Sequence, residues 1–134
     1  MTTLVTINIR TLSTLSHDVL MHTKNAHYGT ETQADFQYLY DLTNALHEAN
    51  VKIDAALYHS KPTVEVTTGT IKFLLEETKA MFEHSVWDIM FDDLEGLEKT
   101  KDLTQAILHA MEALEVVEAV DAKDEPKATL KEVA

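Results

Sequence analysis

The sequence contains no cysteine and is poor in glycine, proline and basic residues. Without cysteine, the chain has no disulfide, no thiolate zinc site and no cysteine nucleophile. Three glycines and two prolines among 134 residues are too few for a turn-rich β-sandwich or barrel. Hydrophobic residues make up 45% of the chain, which is too many for a disordered protein. The composition therefore predicts a mainly helical globular protein.

The shortage of basic residues makes the chain strongly acidic. Eleven Lys and Arg against 23 Asp and Glu give a formal net charge of -12. This charge disfavours direct binding of a DNA backbone, which depends on basic side chains displacing counterions. It leaves open cation binding and mimicry of a nucleic acid. The charge is also uneven, because residues 1–66 carry a balance of -3 and residues 67–134 a balance of -9.

Several classes of protein lack support in the sequence. No stretch approaches the roughly 18 uninterrupted apolar residues of a membrane-spanning helix, and the N-terminus lacks the basic start of a signal peptide. We therefore expect a cytoplasmic protein that does not enter a membrane. The phosphate loop and the Gly-x-Ser-x-Gly elbow are missing, so the sequence gives no sign of these two kinds of enzyme. Whether the chain is another kind of enzyme stays open. No internal repeat is recognised.

Hydrophobic spacing predicts four amphipathic helices of about 20 to 27 residues. The first spans about residues 6–28 and ends at Gly29. The second begins after a capping pair, Thr32 with Asp35, and stops by Ser60 because Pro62 cannot continue a helix.

The second half of the chain repeats this helical pattern after a stretch of extended chain. Residues 62–68 are rich in β-branched side chains and predict extended structure. Thr68 caps a third helix that runs to about Gly96, and Thr100 caps a fourth. We expect one helical domain over residues 1–120 and a mobile charged tail over residues 121–134.

The apolar positions on each predicted helix give a candidate core. The first helix contributes Leu4, Ile7, Leu12, Leu15, Val19, His22 and Ala26. The third helix contributes Ile71, Leu74, Leu75, Thr78, Phe82, Ser85, Val86 and Ile89. The fourth helix contributes Leu103, Ile107, Ala110, Leu114 and Val117. On the second helix the predicted seam is Phe36, Leu39, Thr43, Leu46, Asn50, Ile53 and Leu57. Four such helices predict an all-α four-helix bundle.

One segment is similar to a known family. The run LMHTKNAHY at residues 20–28, followed by FQYLY at residues 36–40, resembles the first-to-second helix region of the DNA-protecting mini-ferritins, the Dps family. The match covers about residues 20–44. The resemblance implies a ferritin-like bundle that forms a dodecameric shell, with iron bound between subunits at a ferroxidase site.

The resemblance is incomplete at the positions that bind iron. His27 matches the first ligand of the family. Tyr40 stands where the family has a second histidine, and Asn44 stands where it has an aspartate. An amide is a poor ligand for hard, oxidisable iron, so the resemblance does not supply a full ferroxidase set.

The remaining ligand positions lie near the end of the second helix. Asp54 fills the family's aspartate position with a shift of one residue. Tyr58 or His59 then stands in place of the glutamate. The resemblance thus implies a metal site of His27, Asp54 and His59, which could bind Fe²⁺ or Zn²⁺.

The connection between the second and third helices bears on the topology. In ferritin-like bundles these helices run parallel, so the connection crosses the length of the bundle. A 25-residue helix spans about 37 Å, whereas the nine residues from 60 to 68 reach at most about 30 Å. Both a ferritin-like and an up-down-up-down bundle therefore stay open.

Two functions follow from these observations. The first is a Dps-like protein that binds and stores iron or another divalent cation as a homo-oligomeric shell. The alternative is a non-enzymatic acidic helical protein, such as an inhibitor or nucleic-acid mimic, that binds a basic surface of a protein partner.

Overall fold

The computed structural model describes residues 3–25, 32–85 and 93–133. These residues form two strands and four helices that pack together. In chain order the elements are β1 (Leu4–Asn8), α1 (Ile9–Asn25), α2 (Gln33–Tyr58), β2 (Thr63–Thr67), α3 (Thr68–Ser85) and α4 (Leu94–Val133). The prediction of a mainly helical protein with four helices is confirmed, and a small sheet is added to it. None of the helices in the described ranges is long and apolar enough to cross a membrane.

The sheet is an antiparallel ribbon of two strands. Thr6 pairs with Glu65 at its centre, and Leu4 pairs with Thr67 at one end. The predicted extended stretch forms β2, whereas the prediction that the first helix begins near residue 6 is wrong. Residues 4–8 alternate buried apolar with exposed side chains, a period of two that suits a strand, and β2 supplies the hydrogen-bonding partner.

The start of α2 agrees with its sequence signal. The backbone N–H of Asp35 donates to the Thr32 side chain, and the Asp35 carboxylate accepts the Thr32 N–H, both at 3.2 Å. This reciprocal capping box satisfies two backbone donors at the helix start. The helix ends at Tyr58, before Pro62, as predicted.

The boundary between the third and fourth helices is wrong in the prediction. α4 begins at Leu94, where a continuation of the third helix was expected. The Asp93 carboxylate accepts the Gly96 N–H at 2.7 Å and takes the role assigned to Thr100. Thr100 lies inside α4, and its hydroxyl donates to the Gly96 carbonyl at 2.8 Å. α4 includes residues 121–133, so the expected tail is helical in the structure, while its mobility stays a prediction.

The core is one apolar cluster formed by all four helices and by the inner side of the ribbon. Most of the predicted core positions are buried: Ile7, Leu12, Leu15, Val19, Ile71, Leu74, Leu75, Thr78, Leu103, Ala110 and Leu114. The prediction is wrong for Leu4, which is exposed, and Phe82, Ile107 and Val117 are only partly buried. Ala26, Val86 and Ile89 lie outside the described residues. The predicted seam of α2 is confirmed in part: Leu39, Leu46 and Ile53 are partly buried against the core, whereas Phe36, Thr43, Asn50 and Leu57 are exposed. The buried residues of α2 are Leu42, Ala45, Ala49 and Ala56. Alanine carries little bulk, so this face allows α2 to approach its neighbours closely, while Phe36, Tyr40 and Tyr58 stay exposed.

The chain is an internal duplication of a strand–helix–helix unit, a repeat that sequence inspection missed. Residues of β1 and α1 correspond to residues 59 positions later in β2 and α3, and residues of α2 correspond to residues 61 positions later in α4. The buried pairs at these offsets are Leu12 with Ile71, Leu15 with Leu74, Val19 with Thr78, Leu42 with Leu103, Ala45 with Ala106 and Ala49 with Ala110. An approximate twofold axis therefore passes through the ribbon.

Hydrogen bonds at the ribbon ends obey the same symmetry. The Ile9 N–H donates to the Pro62 carbonyl at 3.0 Å, and the Thr68 N–H donates to the Thr3 carbonyl at 2.9 Å. Each bond joins the first residue of a helix to the residue that flanks the opposite strand. The duplication is hidden in the sequence because equivalent residues share size and burial more often than identity.

Side-chain contacts define the relative direction of α2 and α3. The Tyr38 hydroxyl donates to the Glu77 carboxylate, whereas Glu48, further along α2, contacts Thr70, nearer the start of α3. The two helices therefore run antiparallel. The expectation of a ferritin-like bundle, in which the second and third helices run parallel, is wrong for this chain.

Candidate functional site

The predicted metal ligands are only partly within the described residues. His27 lies outside them. Asp54 is exposed on α2, and His59 is the exposed residue that caps the C-terminal end of this helix. The His59 ring meets the Tyr58 ring edge to face, with centroids 5.1 Å apart. In residues 3–25, 32–85 and 93–133, no group of three or more metal-binding side chains is present.

The surroundings of His59 also bear on cation binding. His59 lines an open groove of about 450 Å³ together with Lys52, Lys61 and Glu65. Two ammonium groups in one groove repel a divalent cation, and a single carboxylate offsets only part of this repulsion. The site of His27, Asp54 and His59 stays a prediction.

Glu48 is the most fully bonded carboxylate of α2. It accepts the backbone N–H of Thr67 at 3.0 Å and the Thr67 hydroxyl at 2.7 Å, and it also accepts the Thr70 hydroxyl. These donors lie at the start of α3, where a negative charge also interacts favourably with the helix dipole. Burial alone raises the pKa of Glu48. The bonds from Thr67 and Thr70, with the nearby charge of Lys52, outweigh this effect and hold the pKa below its ordinary value.

The duplicated unit contains a different residue at the matching place. His109 of α4 corresponds to Glu48, and Asn8 and Thr11 correspond to Thr67 and Thr70. Thr11 is buried, and its hydroxyl lies 3.4 Å from Nδ1 of His109. The Asn8 carboxamide accepts the Arg10 N–H at 2.7 Å and so caps α1 itself.

A small cavity of about 180 Å³ adjoins His109. Its polar lining consists of Asn8, Arg10, Thr11, Asp102, Gln105 and His109. Arg10 and Asp102 carry opposite charges, so the lining shows no clear preference for an anion or a cation. Sequence reasoning missed both Glu48 and this cavity. The position of Glu48 is related to that of His109 only by the internal duplication, which was not recognised in the sequence.

A second ionisable pair lies on α1. Nε2 of His22 is 3.5 Å from the Asp18 carboxylate, one helical turn away. Burial raises the pKa of Asp18 above its ordinary value, although His22, His17 and Lys99 each act to lower it. The His22 side chain is 36% exposed, so it lies at the edge of the core rather than inside it.

Two helix surfaces expose large apolar side chains. On α2 the exposed residues include Phe36 at 58%, Tyr40 at 65% and Tyr58 at 85%. On α4 they include Leu108 at 53% and Val116 at 66%. Exposed apolar patches are typical of sites where proteins bind other proteins, so both helix surfaces are candidate interaction sites.

Comparison with known proteins finds no matching family model, no matching curated protein and no matching solved structure.

Proposed function

We propose that this chain is a helical interaction protein that binds a basic, amphipathic surface of a protein partner. The binding surface is the outward side of α4 formed by Leu108, Met111, Glu112, Glu115 and Val116, called here the α4 outer face. All five side chains are exposed. The observation that carries the proposal is the combination of exposed apolar side chains and carboxylates on one helix surface.

Helix geometry brings these residues together. An α-helix turns about 100° per residue, so positions 108, 111, 112, 115 and 116 lie on one side. The buried residues Ala106, Ala110 and Leu114 lie on the other side of α4. The α4 outer face is therefore free to meet a partner while α4 keeps its place in the core.

Charge indicates which partner this face suits. Between residues 108 and 120 there are three glutamates and no lysine or arginine. Glu118 lies 3.8 Å from Lys72, whereas no such ion pair is formed by Glu112 or Glu115 in the described part of the chain. A partner helix with lysines or arginines beside leucines would satisfy both the carboxylates and the apolar groups.

The proposal is tested with a synthetic amphipathic helical peptide made of leucine and lysine, titrated into the intact protein by calorimetry. Replacing Glu112 and Glu115 with glutamine should weaken binding by at least about tenfold, since two charge contacts are lost. Replacing Glu95 and Glu98 with glutamine removes the same charge from the same helix and is the matched control. We expect this control to change affinity by less than about twofold at physiological salt, where the Debye length is about 8 Å.

Two results would contradict this function. Equal weakening by both pairs of substitutions would show nonspecific attraction to an acidic protein. Unchanged binding of Leu108→Gln would show that the apolar part of the face takes no part. Storage of iron or another divalent cation in a shell stays a separate prediction from the Dps resemblance, and it requires uptake of Fe²⁺ and a mass many times 15.1 kDa.

A further inference from the structure

The outward side of α2 is a second candidate interface, independent of the α4 outer face. It consists of Phe36, Tyr40, His47, Val51 and Tyr58, called here the α2 outer face, and all five are exposed. The buried residues of α2 lie on the opposite side of the helix, because they are offset from these positions by about half a turn at 100° per residue. Residues that pack the core are therefore separate from residues that face outward.

This face contains few charges for a protein with a net charge of -12. Along the side that includes Thr43 and Asn44, Asp54 is the one formally charged residue. Protein interfaces are depleted in charged residues and enriched in tyrosine and phenylalanine. Two copies of an acidic protein repel each other, so the surface through which they could associate is one from which carboxylates are largely absent.

The positions on this face are symmetric about His47. Thr43 and Val51 each lie four residues from His47, Tyr40 and Asp54 each lie seven, and Phe36 and Tyr58 each lie eleven. Offsets of four, seven and eleven residues all point within about 40° of one direction on an α-helix. An antiparallel pair of such helices, related by a twofold axis at His47, places each residue opposite its counterpart in the other copy.

We infer that two copies of this chain associate through antiparallel packing of the α2 outer face. Phe36 meets Tyr58 of the second copy, and Tyr40 meets the carboxylate of Asp54, to which its hydroxyl donates. Each contact occurs twice, as in any isologous interface. Each residue of the α2 outer face has a compatible counterpart in an identical face turned by the twofold axis. The partner that this face fits is therefore a second copy of α2.

The area of the face is that of a weak, reversible association. Phe36, Tyr40 and Tyr58 expose 58%, 65% and 85% of their surface, and aromatic residues of about 200 Å² each then contribute roughly 400 Å² per copy. The other residues of the face raise this value toward, but not beyond, the roughly 800 Å² per partner of a standard interface. We therefore expect a dimer with a micromolar dissociation constant.

A charge-reversal experiment tests the pairing. The mass of the intact protein is measured by analytical ultracentrifugation between about 0.5 and 300 µM, a range that brackets a micromolar constant. The wild type should approach twice 15.1 kDa. Tyr40→Glu should yield a monomer, because it places a carboxylate opposite Asp54 of the other copy. Adding Asp54→Lys to that variant should restore the dimer, because each glutamate then meets a lysine.

Controls separate this interface from misfolding and from other surfaces. Residues 40 and 54 lie about 21 Å apart along one helix, too far for direct pairing within a copy. Lys101→Glu alters the position on α4 that corresponds to Tyr40 and should leave the dimer intact. Thermal melts confirm that each variant folds. A wild type that stays monomeric throughout, a dimer that survives Tyr40→Glu, or a double variant that stays monomeric would overturn the inference.

Discussion

Thr78 is the residue whose replacement should most clearly stabilise this protein. Its side chain is fully buried on α3, and its hydroxyl has no hydrogen-bond partner in the part of the chain that the structure describes. A buried polar group left unpaired costs about 1–3 kcal/mol. The residue at the matching position of the first unit is Val19, which is also fully buried. We therefore predict that Thr78→Val stabilises the fold.

The size of the effect follows from two contributions. Removing the unpaired hydroxyl recovers about 1–3 kcal/mol, and burying a methyl group in its place adds up to about 0.8 kcal/mol. Both residues are β-branched, so the entropy of the side chain changes little. We expect the free energy of unfolding to rise by about 1–3 kcal/mol, which raises Tm by roughly 4 °C per kcal/mol at this length.

The internal duplication provides the matched control. Val19→Thr places a hydroxyl at the corresponding site of α1 and should destabilise by a similar amount. Both variants are compared with the wild type by urea unfolding at constant protein concentration, so that self-association does not alter the comparison. A Thr78→Val protein that is less stable than the wild type would refute the reasoning, since it would show that the hydroxyl makes a favourable bond.

Three further predictions concern a carboxylate, the core and the metal site. Glu48→Gln should lower the free energy of unfolding by about 1–2 kcal/mol at neutral pH, because the donors at the start of α3 lose a charged acceptor. Glu98→Gln makes the same change at an exposed position of α4 and should alter the free energy of unfolding by less than about 0.5 kcal/mol. The folded-state pKa of Glu48 lies below its ordinary 4.5. The carboxylate therefore adds to the free energy of unfolding above pH 4.5, and this stabilisation is lost as the pH falls through the lower folded-state pKa. The free energies of unfolding of the wild type and of Glu48→Gln, measured by urea melts, should converge in acid, and a difference that stays constant with pH would contradict this. Leu12→Ala and Ile71→Ala remove fully buried, symmetry-related side chains and should each cost about 2–5 kcal/mol in denaturant unfolding, with a neutral result at either site arguing against a shared core. If the Dps resemblance extends to chemistry, His27→Ala should abolish Fe²⁺ binding measured by calorimetry, and unchanged binding would exclude this ligand.

The sequence was sufficient to predict the helices whose ends carry strong local signals. Thr32 and Asp35 form the expected capping box, and Pro62 follows the end of α2 as expected. The first strand was missed because residues 4–8 belong to a ribbon whose other half lies 59 residues away. A strand of five residues is stable only with its partner, so the local pattern resembled the beginning of a helix.

The face that α2 buries was predicted only in part, for a different physical reason. Leu39, Leu46 and Ile53 of the predicted seam do pack against the core. Spacing alone favoured Phe36 and Leu57, whereas the structure buries Ala45 and Ala49. A prediction from hydrophobic spacing places the large apolar side chains in the core. Closely packed helices can instead bury small residues at their contact and leave large ones exposed. The same inversion produced the α2 outer face, and for this reason the candidate interaction surface could not be predicted from the pattern.

The two-stranded ribbon has a consequence for the order in which the chain folds. β1 is made first, but its partner residues 63–67 emerge only after α1 and α2 have been synthesised. The contact between Thr11 of α1 and His109 forms later still, because these residues lie 98 positions apart in the chain. The first unit therefore leaves the ribosome with its apolar face uncovered, and pairing between such distant segments slows folding. During this interval the first units of two nascent chains could pair with each other. The reason is that the first unit normally packs against a second unit of the same strand–helix–helix form.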